Sequence, residues 1–91
     1  YDTYMNSDIQ ITIHYFAQVR EATRIKYETL KLSRDTSVMD LLSLIHTRYP
    51  KLRNVNNFST SVNYQLVKSN TILRDKDEVA LLPPISGGYP D

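Results

Sequence analysis

Apolar and polar residues alternate without a break from Ile9 to Tyr15. Ile9, Ile11, Ile13 and Tyr15 point one way, and Gln10, Thr12, His14 and Phe16 the other. This period of two predicts a strand over 9–16 with one buried face. Phe16 is the exception, an apolar residue on the polar side. Residues 25–32 predict a second strand, whose alternation slips phase between Thr29 and Leu30 and so points to a bulge. The two strands are expected to make a hairpin, with residues 17–24 as a loop or short turn of helix. Val38, Leu41, Leu42, Ile45 and Tyr49 recur at helical spacing and predict one clear helix over 37–49. Ser37 is its expected N-cap, Asp40 completes a capping box, and Pro50 stops it.

Residues 51–60 read as loop. Ser61 to Val67 predict a third strand, with Val62, Tyr64 and Leu66 on one face. Leu73 to Asp77 is a turn, and 78–82 is the last strand. Pro83-Pro84 ends it, since neither residue can donate to a ladder. The expected product is an α+β fold of the β-grasp kind. One main helix packs on one face of a mixed sheet of four to five strands, with the last strand beside the first. Val79 and Leu81 then face the helix, and Ala80 and Leu82 fall on the open face beside Phe16. One helix cannot cover both faces, so apolar residues on the uncovered face are a candidate interface.

The folded body is expected to span 9–83. Residues 1–8 show no periodicity and are expected to be disordered; the chain begins at Tyr1, and Met5 is a candidate natural start. Residues 84–91 are expected to form a flexible tail.

Length and charge narrow the function. Ninety-one residues hold one core, and 41% apolar with 23% charged residues suits an ordinary globular domain. The net charge of +1 argues against an electrostatic nucleic-acid binder. No stretch is long and apolar enough to span a membrane, and no leader points to secretion. With no cysteine there are no disulfides, thiolate metal sites or cysteine nucleophiles, and a reducing, cytoplasmic setting is compatible.

Glycine changes the picture. Average usage predicts about six in this length. The chain has two, Gly87 and Gly88, adjacent and near its end. Every turn of the body must manage without glycine.

Little catalytic chemistry is visible. His14 and His46 have no partners at metal-ligand spacing, and packing or solvent-facing roles account for them better. Two glycines cannot build a phosphate loop or a nucleophile elbow. Asp75, Asp77 and Glu78 read more simply as a turn than as a catalytic carboxylate pair. Arg48, Lys51 and Arg53 read as cations near the helix C-terminus, and only secondarily as a binding patch. What stands out is Pro83-Pro84-Ile85-Ser86-Gly87-Gly88. The prolines extend the chain away from the body and the glycines leave it thin, a shape suited to threading into a narrow site.

Four runs resemble one family. Phe16-Ala17-Gln18-Val19-Arg20-Glu21 resembles the Phe-Ala-x-x-Arg-Glu run of MoaD-type sulfur carriers, the small subunits of molybdopterin synthase. Val62-Asn63 is similar to that family's Val-Asn. Leu73-x-Asp75-x-Asp77-Glu78-Val79-Ala80 is similar to its Leu-x-Asp-Gly-Asp-Glu-Val turn and last strand. Pro83 to Gly88 resembles its Pro-Pro-x-x-Gly-Gly ending. The match runs in order over residues 9–88.

The resemblance implies a ubiquitin-like sulfur carrier without catalytic residues of its own. Its Gly88 carboxylate would be adenylated by a ubiquitin-activating-type enzyme that uses ATP. It would become a thiocarboxylate and deliver sulfur to a pterin precursor in the large subunit of molybdopterin synthase. No bound cofactor or metal is implied. The family's partners pack on the open sheet face and the base of the tail. Carried over, that names Leu66, Leu82 and the segment Pro83, Pro84, Ile85 and Ser86, with Arg20 at the rim; the strand phase adds Phe16 to them. Alternatives within the class are thiamine or transfer-RNA thiolation, or protein modification; outside it stands a plain β-grasp interaction module. The double proline favours the molybdopterin destination.

Two departures are visible. Lys76 stands where the family has glycine between the aspartates. Tyr89-Pro90-Asp91 follows Gly88, so a carrier role implies either that these residues are removed or that they are an addition; otherwise the chain no longer carries.

Overall fold

The protein is described here by a computed structural model covering residues 8–54 and 58–82, apart from the side chains of Arg53 and Asn54. Of the N-terminal segment expected over 1–8, residues 1–7 lie outside the described residues, as does the tail expected over 84–91, while Asp8 pairs with Ser33 in the sheet.

Strand β1 (Asp8–Tyr15) leads into helix α1 (Ala17–Thr23) and strand β2 (Tyr27–Ser33). Helix α2 (Val38–Arg48) follows, then a short 3₁₀ helix (Pro50–Asn54). Strands β3 (Ser59–Val62), β4 (Gln65–Leu66) and β5 (Glu78–Leu82) complete the chain. The sheet order is β2-β1-β5-β3-β4. β1 and β5 are parallel at its centre and the other pairings are antiparallel. No helix of the described residues is long and apolar enough to cross a membrane.

The alternation of β1 becomes the core. Ile9, Ile11, Ile13 and Tyr15 are buried, with Val79 and Leu81 from β5 and Leu30 and Leu32 from β2. α2 closes this layer with Val38, Leu41 and Ile45. Its start is as expected. Ser37 Oγ accepts from the Asp40 amide at 3.1 Å, and the Asp40 carboxylate accepts from the Ser37 amide at 3.1 Å, a reciprocal capping box. The loop expected over 51–60 contains the 3₁₀ turn, whose Leu52 is fully buried.

Two expectations are corrected, and a third is settled between its two alternatives. First, β2 has no bulge, since its register against β1 is continuous from Asp8↔Ser33 to His14↔Tyr27. The apparent slip arises because Glu28 occupies the core side of the strand with Leu30 and Leu32. Its carboxylate accepts from Tyr15 Oη at 2.5 Å and Tyr49 Oη at 2.7 Å, and pairs with Arg48 at 3.2 Å. A charged group tolerates that position because its oxygens are hydrogen-bonded.

Second, 61–67 is not one strand. Asn63 and Tyr64 both adopt left-handed backbone, with φ of 51° and 72°, and reverse the chain in a two-residue hairpin turn. Ser61 then pairs with Leu66 and Val62 with Gln65. Val62 packs against the core and Leu66 lies on the open face, so the two do not share a face.

Third, the segment after β1 is a true helix. Val19 anchors it in the core, and Arg24 closes it in left-handed conformation with its amide on the Arg20 carbonyl at 2.7 Å.

Left-handed backbone on non-glycine residues follows from the shortage of glycine. Lys76, with φ of 71°, stands at the turn where the resemblance places glycine. We expect Lys76→Gly to raise the unfolding free energy by about 0.5–1 kcal/mol, because relief of the left-handed strain exceeds the added chain entropy. Urea denaturation checks this, and a loss of stability would contradict it.

Burial raises the Tyr15 pKa far above the ordinary 10.0, and the hydrogen bond to Glu28 adds to it; Tyr49 shifts the same way for the same reasons. The unfolded chain's tyrosines therefore ionise first. This share of the stability is intact below about pH 10 and is lost as pH rises beyond it. We expect Tyr15→Phe to flatten the alkaline fall of the urea midpoint. An unchanged alkaline limb would contradict the upward shift of the Tyr15 pKa.

Candidate functional site: the open sheet face

The sheet register assigns the open face residue by residue. His14 pairs with Ala80, Ala80 with Ser61, and Ser61 with Leu66, so these four form one row across β1, β5, β3 and β4. Ala80 and Ser61 are small and make a floor. Phe16, Leu82, Leu66 and Tyr64 stand around it as walls. Together with His14 and Glu78 they line a groove of about 460 Å³. Its apolar walls are well exposed: Phe16 39%, Leu66 46% and Tyr64 91%. Apolar surface concentrated in one groove is what a partner interface offers.

The fold explains each placement. Phe16 follows the last residue of β1 with extended backbone and caps α1, which turns its ring outward. Its carbonyl accepts from the Val19 amide at 3.0 Å and the Arg20 amide at 3.3 Å. The Arg20 guanidinium lies 5.6 Å from the centre of the Phe16 ring, and its Nε donates to the Tyr15 carbonyl at 3.1 Å. Arg20 is thereby fixed at the rim of the groove. Leu82 pairs with Ser59 on β3 and lines the groove at the end of β5.

The structure thus brings together Phe16, Arg20, Leu66 and Leu82. Pro83, Pro84, Ile85, Ser86, Gly87 and Gly88 lie outside the described residues. Three contributors escaped the sequence reading. Tyr64 was placed in mid-strand and is instead the hairpin tip. Ser61 is not singled out by the sequence, and Glu78 is expected at the turn and the start of the last strand without a place in the interface.

The acidic residues of that turn are structural. Asp77 accepts from Asn63 Nδ2 at 2.9 Å and from the Arg74 amide at 2.8 Å, and Asn63 Oδ1 accepts from the Glu78 amide at 3.0 Å. These bonds hold the β3–β4 hairpin to the start of β5. Asp75 accepts from the Gln10 amide at 2.7 Å, which ties the same turn to β1.

His46 Nδ1 lies 2.8 Å from the Leu42 carbonyl and its ring stacks on Phe58. Arg48 pairs with Glu28. The Arg53 side chain lies outside the described part. Among the described residues, no three of His, Asp and Glu gather as a metal-binding group.

A mixed sheet with parallel central strands, one main helix on one face and an open apolar face defines a ubiquitin-like β-grasp protein. Comparison with known proteins narrows the class: the chain belongs to the ThiS family, whose model matches residues 13–88. It is 35% identical over 83 residues to the molybdopterin synthase sulfur carrier subunit of Homo sapiens, covering 87% of this chain and 94% of that one. It is likewise 35% identical to the same subunit of Chlamydomonas reinhardtii, over 88% of this chain and all of that one.

Among solved structures it resembles small archaeal modifier protein 1 of Haloferax volcanii, with a TM-score of 0.74 at 20% identity over 85% of this chain and 99% of that one. It also resembles a chain of the complex of subunits 1 and 2 of molybdopterin-converting factor from Helicobacter pylori. There the TM-score is 0.62 at 20% identity, over 88% of this chain and all of that one. These two likenesses are of fold.

The strand phase has a direct test. Phe16→Asp and Leu82→Asp are expected to leave the protein folded, each costing less than about 1 kcal/mol, because both side chains stand on the open face. Leu81→Asp, one residue away on the core face, is expected to abolish folding. Circular dichroism melts check this, and unfolding of either open-face variant would overturn the face assignment.

Proposed function

We propose that this protein is the sulfur carrier subunit of a molybdopterin synthase. Gly88, once its carboxylate is free, is adenylated by a ubiquitin-activating-type partner that uses ATP, and is converted to a thiocarboxylate. The large subunit of the synthase then receives the tail and takes the sulfur. The carrier supplies the carboxylate and the docking surface, and the partners supply the catalysis. The cytoplasm is the setting this chemistry suits.

One observation carries the reading. The apolar groove and the base of the Pro-Pro-x-x-Gly-Gly tail lie at the same end of the sheet, because Phe16 ends β1 where Leu82 ends the parallel β5. A partner seated on the groove is in contact with Leu82, the residue that precedes Pro83 in the chain. The relationship to molybdopterin synthase sulfur carriers at 35% identity supports the destination. The complex with subunit 2 in the Helicobacter pylori neighbour supports a large-subunit partner. The likeness to a modifier protein concerns fold and does not favour modification over sulfur transfer.

Intact mass after incubation with an activating enzyme, ATP and a sulfur donor tests this. The chain ending at Gly88 is expected to exchange one oxygen for one sulfur, and the chain ending at Asp91 to stay unchanged. Gly88→Ala is expected to lose at least about tenfold in transfer to the large subunit with no change in melting temperature, since a methyl group obstructs a narrow channel without touching the core. Absence of sulfur on the chain ending at Gly88 would contradict the proposal.

A further inference from the structure

His14 and Glu78 are the charge-bearing groups in a groove that is otherwise lined by apolar and small side chains. They belong to neighbouring parallel strands, and Nε2 of His14 lies 3.0 Å from Oε1 of Glu78. Their side chains are 35% and 50% exposed, so both are still largely hydrated in the free protein. A partner seated on the groove would strip that water from both at once.

From α1, the Arg20 guanidinium stands at the groove rim over the Phe16 ring, with its Nε on the Tyr15 carbonyl. From β2, the Tyr27 ring lies 5.9 Å from the imidazole. From β5, the facing group is Glu78. Tyr64 stands on the opposite wall of the groove. Asp77 accepts from the Asn63 side-chain amide and the Arg74 backbone amide. Lys31 shares the open face, but it pairs with Gln10, four residues along β1 from His14 and so roughly 13 Å away.

Covering the pair has a definite consequence. With neutral imidazole, the partner must bury a net negative carboxylate whose remaining hydrogen-bond capacity has lost its water. With protonated imidazole, it buries a neutral ion pair. Desolvating a hydrogen-bonded pair of opposite charges costs less than desolvating one uncompensated charge. Imidazole is the side chain that changes charge between about pH 5 and 8. The covered state therefore holds the proton more tightly than the free state, and by linkage binding tightens as pH falls.

We propose that docking of the synthase large subunit on this face is proton-linked through the His14–Glu78 pair, one proton passing from solvent to the imidazole as the groove is covered. This rests on the docking reading above and adds a regulatory property to it. Acidification would favour the assembled form, and release would be easier at alkaline pH.

Titration calorimetry of the full chain with the large subunit of the same organism tests it. Binding enthalpy is measured near pH 7.5 in phosphate and in Tris, whose ionisation enthalpies differ, so that the difference counts protons. The expected uptake is about one half to one proton per complex, with affinity roughly tenfold tighter at pH 6.5 than at pH 8. His14→Gln and Glu78→Gln are each expected to bind with uptake near zero. Binding without proton uptake, or undiminished uptake in either variant, would overturn the inference and leave the docking reading standing. No binding of the unaltered chain would overturn both.

Discussion

The parallel pairing of β1 with β5 is the constraint on which the rest of the structure depends. Thr12 pairs with Glu78, Ile13 with Val79, His14 with Ala80 and Tyr15 with Leu81. Parallel neighbours cannot be joined by a tight turn. Everything between Phe16 and Asp77 must therefore carry the chain back to the N-terminal end of β1. The return is sewn down there. Gln10 donates its amide to Asp75 at 2.7 Å, and its carbonyl accepts from the Lys76 amide at 2.7 Å. Because both strands then run the same way, both end at the same edge of the body. Phe16 and Leu82 become neighbours on the groove, and Leu82 is the residue that Pro83 follows in the chain.

The two sides of this sheet do different work. The covered side is packed with branched aliphatic residues, with Thr60 buried among them and Glu28 half-buried beside them. That carboxylate joins β2 to the end of α2 through Tyr49 and Arg48, and to β1 through Tyr15. The open side instead alternates large rims with a floor of Ala80 and Ser61. Small residues at the centre of a sheet face leave a depression, and large apolar residues around it give a partner something to grip.

Much of this was legible in the chain. Period-two alternation fixed the faces of β1 and β5, and with them Phe16 and Leu82 on the open side. The helix and its cap were readable because Ser37 and Asp40 stand at capping spacing ahead of an apolar stripe. The β3–β4 hairpin was not legible. Its turn is Asn63-Tyr64, without the glycine that usually marks such a turn, so the run read as one strand. Glu28 was hidden for a different reason. A charged residue at a core position breaks the pattern, and only the tertiary arrangement of two tyrosines and an arginine makes it acceptable. Tyr64 was lost with the hairpin, and Glu78 because its partner His14 is distant in sequence.

Backbone and methyl chemical shifts of the labelled chain, followed as the synthase large subunit is added, test the central claim most directly. That claim is that one contiguous surface, the groove together with the tail, meets the partner. The account predicts shift changes at Phe16, Tyr64, Leu66, Ala80 and Leu82 and throughout 83–88, with the exposed helix residues Met39 and Leu44 unmoved. Changes centred on Met39 and Leu44, with the groove unaffected, would contradict it.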